Sequence, residues 1–281
     1  MFENFPPKSV VVGIDGSQAA IRAARWAANE VAGTDNPLQL LYIRDIEFAA
    51  TRAETRDALA TAEAAVYDAY NAVESLGKPV KVEMMVVEAR PVPYLINASD
   101  STPLLCIGNT GSGTSRTGFG STAAQLVHSA HCSVAVVRGE YNEDRSQSRW
   151  IVAHVVGSPD DGDTLDRAFE EAERRNAPLV VLTAWQSPFD LLQDDRKIFE
   201  HDRRMRAILD RDVAVRTPHF PEVQVRTVTA FGTLLSYLAD HAADVEVVIV
   251  GGNQACVIQE IVGPTGALAL RHSDFTLLVV R

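Results

Sequence analysis

Four short features of this chain recur at a nearly constant distance. Gly16-Ser17 returns as Gly157-Ser158, 141 residues on, while Gly108, Gly120 and the run Val136-Val137-Arg138 return 143 residues on as Gly251, Gly263 and Val279-Val280-Arg281. A drift of two residues over so long a unit marks a duplicated domain, because solenoid repeats are far shorter. The 281 residues leave room for two domains at roughly 100 to 200 residues each, each large enough to bury its own core. The copies are expected over 1–138 and 149–281, joined by the polar, aperiodic linker 139–148.

Within each copy, strand-like runs alternate with helix-like ones, the pattern of a parallel sheet with crossover helices. The β-branched run Val10 to Ile14 ends at Asp15-Gly16-Ser17 and is followed by an alanine-rich segment, Gln18 to Val31. There Ile21, Ala24, Ala28 and Val31 fall at helical spacing, with Ser17 or Asp15 available as cap. Strands are expected over 38–43, 80–87, 104–108 and 133–138. Helices are expected over 53–76, with Gly77 at its C′ position, and over 91–99 and 121–129. After the linker come strands over 150–156, 179–185, 223–229, 245–250 and 275–280, and helices over 163–175, 194–213, 233–241 and near Ala267. The fold class is therefore α/β: two tandem doubly wound domains, each a five-stranded, mostly parallel sheet with helices on both faces.

Composition excludes several alternatives. Hydrophobic residues at 46% and charged residues at 22% argue against disorder, collagen-like repetition and a disulfide scaffold. A net charge of -11 leaves no basic stripe for nucleic-acid phosphates or an acidic membrane surface. The longest apolar runs, 177–185 and 245–252, fall well short of the roughly 20 residues that cross a bilayer. The first residues lack the basic and apolar regions of a secretory signal, so a cytoplasmic location is expected. Cys106, Cys132 and Cys256 each lie in or beside an apolar run and are expected to be buried small hydrophobes. His128 and His131 are three apart but lack a suitable set of partners, and no metal site is expected.

In a doubly wound sheet, ligands sit outside the carboxyl ends of the strands where the strand order reverses, which singles out the residues after strands one and four. In the first copy these are Asp15 and the loop from Gly108 to Thr122, with glycines at 108, 111, 113, 118 and 120. Such a loop lets backbone N–H groups surround an anion. It leads into a helix at Ser121-Thr122, where unpaired amides and the positive end of the dipole favour phosphate. Arg116 supplies the loop's one full charge, of the right sign, and Asp15 can accept hydrogen bonds from a ribose or an adenine edge. Neither a P-loop nor the dinucleotide fingerprint is present.

The run Val10 to Ser17, the loop Gly108 to Ser121 and the closing Val134 to Arg138 resemble a universal stress protein domain, and the whole chain resembles a tandem member of that family. In ATP-binding members the loop is written G-x-x-G, nine residues, then G-S or G-T. The resemblance implies ATP as ligand of the first domain, with Asp15 at the adenosine portion and the backbone near Ile43 at the adenine. It places Gly108, Gly111, Gly120, Ser121 and Thr122 at the phosphates. It also implies pairing through the terminal strands 133–138 and 275–280, as an intramolecular pseudo-dimer or a homodimer. The chain departs from the pattern by one residue, since eight, Ser112 to Phe119, separate Gly111 from Gly120.

The second copy has lost these features. Val156 replaces Asp15, Gln254 the second loop glycine, and Pro264 replaces Ser121 and removes an N–H donor. Its loop carries Glu260 and no Lys or Arg. Residues 1–138 hold 11 basic and 14 acidic side chains, and residues 149–281 hold 14 and 20, so the acidity is concentrated in the second half. The one basic run there, Arg203-Arg204-Met205-Arg206, lies among acids on a helix and reads as a solvated face. The resemblance implies a nucleotide-responsive stress regulator acting on a protein partner; the alternative is a non-nucleotide interaction scaffold with a relic glycine loop. A third, an ATP-using enzyme of a related fold, finds no strong catalytic signature in the sequence, and slow ATP hydrolysis is the most activity expected.

Overall fold

The computed structural model describes residues 8–45, 52–111, 118–139, 149–186 and 195–281. It separates into two compact units, Met1–Asn142 with Val262–Arg271, and Glu143–Ile261 with His272–Arg281. The linker expected over 139–148 lies, apart from Gly139, outside the described residues.

The first unit contains strands β1 (Val10–Ile14), β2 (Leu38–Arg44), β3 (Val82–Glu88), β4 (Leu104–Gly108) and β5 (Ser133–Val137). Between them run helices α1 (Gln18–Val31), α2 (Arg52–Glu74), α3 (Pro91–Ala98) and α4 (Ser121–Ser129). The strand order is β3-β2-β1-β4-β5, with every pair parallel. The chain therefore steps outward from β1 to β3 and returns on the other side of β1 as β4, which places the switch point between β1 and β4. Val11, Val12, Leu105 and Cys106 have no exposed surface, as expected of central strands covered by helices on both faces. The outer strand β3 is half-buried.

The second unit repeats the arrangement with β6 (Trp150–His154), α5 (Gly162–Arg175), β7 (Leu179–Trp185), α6 (Asp195–Arg216), β8 (Val225–Phe231), α7 (Leu234–Asp240), β9 (Val245–Gly251) and β10 (Thr276–Val280). Its order is β8-β7-β6-β9-β10, again all parallel. Helices α8 (Ala255–Val262) and α9 (Pro264–Ala269) follow β9 in the chain.

Most elements lie where the periodicity puts them, and the differences have local causes. The strand expected to reach Val156 stops at His154, because the Val156 amide donates to the Asp161 carboxylate instead of continuing the ladder. Helix α8 occupies the stretch expected to form the second copy's loop, because Ile258, Ile261 and Val262 share one apolar face. It also corrects the expectation for Cys256: Ile258 and Ile261 face inward on this helix, and Cys256 is exposed, whereas Cys106 and Cys132 are buried. Arg203, Arg204 and Arg206 are exposed on α6, as expected of a solvated face.

Candidate functional site

The turn after β1 is built around Asp15. Gly16 adopts φ 80°, a conformation that favours glycine. The chain then folds back so that the Ser17 amide donates to Asp15 Oδ1 at 3.0 Å. Ser17 in turn caps α1, its hydroxyl accepting from the Ala20 amide at 3.1 Å and donating to the Thr110 carbonyl at 3.4 Å. One serine thus joins the end of β1, the start of α1 and the glycine loop after β4.

Two glycines of that loop stand at close approaches, one to backbone and one to a side chain. A Cβ on Gly108 would lie 2.6 Å from the carbonyl carbon of Ala19, so β4 meets the first turn of α1 backbone to backbone. A Cβ on Gly111 would lie 3.0 Å from Asp15 Oδ2, which places the carboxylate directly against the loop. Asp15 is also felt by Tyr42, whose phenol is pushed up chiefly by burial and further by that carboxylate.

At the loop's far end Gly120 is the N-cap of α4, with no side chain to satisfy the first turn. The first amide with an intrahelical acceptor is that of Ala124, which donates to the Gly120 carbonyl. The amides of Ser121, Thr122 and Ala123 therefore have no acceptor within the helix, and the positive end of the α4 dipole is not neutralised by an acid. The Gly120 amide is engaged differently, donating to the Asn109 carbonyl at 2.6 Å.

These parts surround one cavity of about 290 Å³, near the lower end of small-molecule sites at roughly 300 to 1,000 Å³. The structure gathers Asp15, Ile43, Gly108, Gly111, Gly120, Ser121 and Thr122 around it. Gly113 and Arg116, also singled out in the sequence, lie outside the described residues. Sequence reasoning missed the apolar side, formed by Leu41 of β2 and by Pro91 and Leu95 of α3. It missed Asn109 as well. Asp15 carries the one formal charge among the described lining residues, so attraction for an anion rests there on amides and the helix dipole.

The corresponding region of the second unit is filled by its own side chains. His154 stands at the position of Gly13, which lines the first cavity, and Gln254 at that of Gly111. Both are buried, His154 Nδ1 lies 2.6 Å from Gln254 Oε1, and Gln254 Nε2 donates to the His154 carbonyl at 3.1 Å. Burial is the main influence on His154 and holds its pKa below the usual histidine value, against the opposing pull of Gln254, Asp161 and Glu260. The turn serine is served from elsewhere, the Ser158 amide donating to buried Asp161 at 2.8 Å. In place of a glycine loop stands α8, whose helical bonds engage amides that a loop would leave open.

Among the described residues no group of three or more His, Cys, Asp or Glu is placed to hold a metal ion. His131 Nδ1 lies 2.6 Å from the Asp100 carboxylate. No helix among the described residues is long and apolar enough to cross a membrane.

Comparison with known proteins gives a consistent result. The model of the universal stress protein family matches residues 7–138 and again residues 149–281. The universal stress protein Rv2028c of Mycobacterium tuberculosis is 40% identical over 284 residues, covering 100% of this chain and 98% of that protein. A second from the same organism, Rv2624c, is 34% identical over 275 residues, covering 98% and 96%. Among solved structures, a universal stress protein from Archaeoglobus fulgidus has the same fold, with a TM-score of 0.67 at 16% identity over 99% of this chain and 97% of that one.

Proposed function

The chain belongs to the universal stress protein family, with two family domains in tandem, and on that premise we propose that it is a stress-response regulator whose first domain binds one adenine nucleotide. The observation that carries this reading is the shared cavity, with an apolar side, a carboxylate and an uncapped helix N-terminus along its wall. Leu41, Ile43 and Leu95 suit the faces of an adenine. Asp15 suits donors, the hydroxyls of a ribose or an amino group. The amides of Ser121 and Thr122 suit phosphate oxygens. Bound nucleotide is the state that the protein presents to a protein partner in the cytoplasm, and among the described lining residues none stands out as a base for rapid hydrolysis.

A scaffold without nucleotide is the second reading, and one observation favours it. The Gly120 amide is already engaged by Asn109, and the loop is one residue shorter than the G-x-x-G pattern of ATP-binding relatives. Thermal-shift titration with ATP, ADP and AMP separates the two. The nucleotide reading expects stabilisation of the wild type and, for Asp15→Ala, affinity roughly 10- to 100-fold weaker, the loss of a charge-assisted hydrogen bond. No shift in either protein overturns it in favour of the scaffold.

A further inference from the structure

Asn109 is buried, about 7% exposed, and it lies between two ends of chain that the glycine loop must bring together. Its amide donates to the Val137 carbonyl at 3.0 Å, which fixes it to the end of β5. Its carbonyl accepts from the Gly120 amide at 2.6 Å. Its side-chain Nδ2 donates to the Gly118 carbonyl at 3.2 Å, in a buried setting. Any residue can make the two backbone bonds. The third requires a short side chain that ends in a donor, which most residues at this position would lack.

We propose that Asn109 is a positioning residue for the phosphate-binding end of the first domain. This rests on the nucleotide reading given above. Its side chain ties the exit of the loop, at Gly118, to the end of β4, so that the first amides of α4 are set towards the cavity before a ligand arrives. Gly118 adopts φ 92°, a turn that a glycine makes without strain, and Gly120 follows two residues later. The tie accounts for a loop one residue short: the closing end is held by a side chain instead of by the length of the connection. The second copy offers the complementary case. There Gly252 stands at the position of Asn109 and α8 replaces the loop, so no open connection needs such a tie. Preorganised amides bind more tightly because the cost of ordering is met before binding.

The test uses the full chain as wild type, Asn109→Ala and Asn109→Asp, titrated with fluorescent ATP and separately with adenosine. Loss of the tie is expected to weaken ATP roughly three- to tenfold in Asn109→Ala, the range of one lost hydrogen bond, and to leave adenosine within about twofold. Asn109→Asp, of nearly the same shape, is expected to be weaker still for ATP, since it replaces the donor by an anion. Equal ATP affinity in all three overturns the proposal, and so does an equal loss for ATP and adenosine, which would mean a general effect on the fold. Tryptic cleavage after Arg116 in the ligand-free chains is a second readout that needs no nucleotide. Faster cleavage in both variants, at unchanged melting temperature, supports the tie, and unchanged cleavage overturns it. A wild type that binds neither ligand defeats the nucleotide reading alone, and the cleavage rates then decide the role of Asn109.

Discussion

At the scale of single residues, backbone proximity decides more than side-chain chemistry. Gly108 and Gly33 illustrate the difference. Gly33 has φ 75° with open space around its Cα, so an alanine there costs only the backbone strain, about 1 kcal/mol. Gly108 has no such φ, but a Cβ there would meet the carbonyl carbon, Cβ and oxygen of Ala19 at 2.6, 2.7 and 2.8 Å. Two of those atoms belong to the backbone of α1 and cannot rotate away, so β4 and α1 must separate. Gly108→Ala is expected to cost about 1 to 3 kcal/mol or more, against about 1 kcal/mol for Gly33→Ala. Urea unfolding followed by Trp26, the tryptophan of the first copy, measures both, and equal losses would show that the close approach between β4 and α1 is relieved without cost.

At the scale of elements, the helices were legible where one face carries a continuous apolar stripe. Helix α1 begins and ends where the spacing of Ile21, Ala24, Ala28 and Val31 and the Ser17 cap put it. Helix α8 escaped because its position in the repeat corresponds to a glycine loop, although Ile258, Ile261 and Val262 already carry a helical spacing. Long-range pairs left no sequence signal at all. The His154 and Gln254 side chains meet across 100 residues, and Asn109 reaches Gly118 through a contact that a single asparagine does not announce. Helix α5 combines local ion pairs at helical spacing with one long-range pair. Glu171, with no exposed surface, receives Arg167 at 2.7 Å, Arg174 at 2.7 Å and Arg175 at 2.9 Å, and Arg175 also reaches Glu246 at 3.1 Å near the start of β9. Removing the carboxylate leaves Arg175, whose side chain is 3% exposed, with much of its charge uncompensated. Glu171→Ala is expected to destabilise the second unit by about 3 to 5 kcal/mol, the range for breaking a buried ion pair, and Glu171→Gln by less. Urea unfolding followed by Trp150 and Trp185 fluorescence checks this, and a loss below about 1 kcal/mol would mean that the arginines are solvated well enough to stand without it.

At the scale of the whole chain, duplication has produced two domains of one fold with different surroundings at the corresponding position. The first half has glycine at 13 and 111, an acid at 15 and an uncapped helix at 121; the second has histidine, glutamine, valine and proline at the matching sites. Charge follows the same division. A nucleotide carries several negative charges, and the half with 14 basic against 20 acidic side chains is the less favourable field for it, with Glu260 on the segment that replaces the loop. Removal of one obstacle would not suffice, since the buried His154–Gln254 pair fills space, Pro264 withholds an amide and Val156 offers no acceptor. Under the proposed function the chain therefore takes up one nucleotide, not two. Calorimetric titration of the full chain with ATP is expected to give a stoichiometry near one, with affinity roughly 10- to 100-fold weaker in Asp15→Ala. A stoichiometry of two would mean that the His154–Gln254 pair opens to admit a ligand. A stoichiometry of one that survives Asp15→Ala unchanged would place the ligand somewhere other than the first cavity.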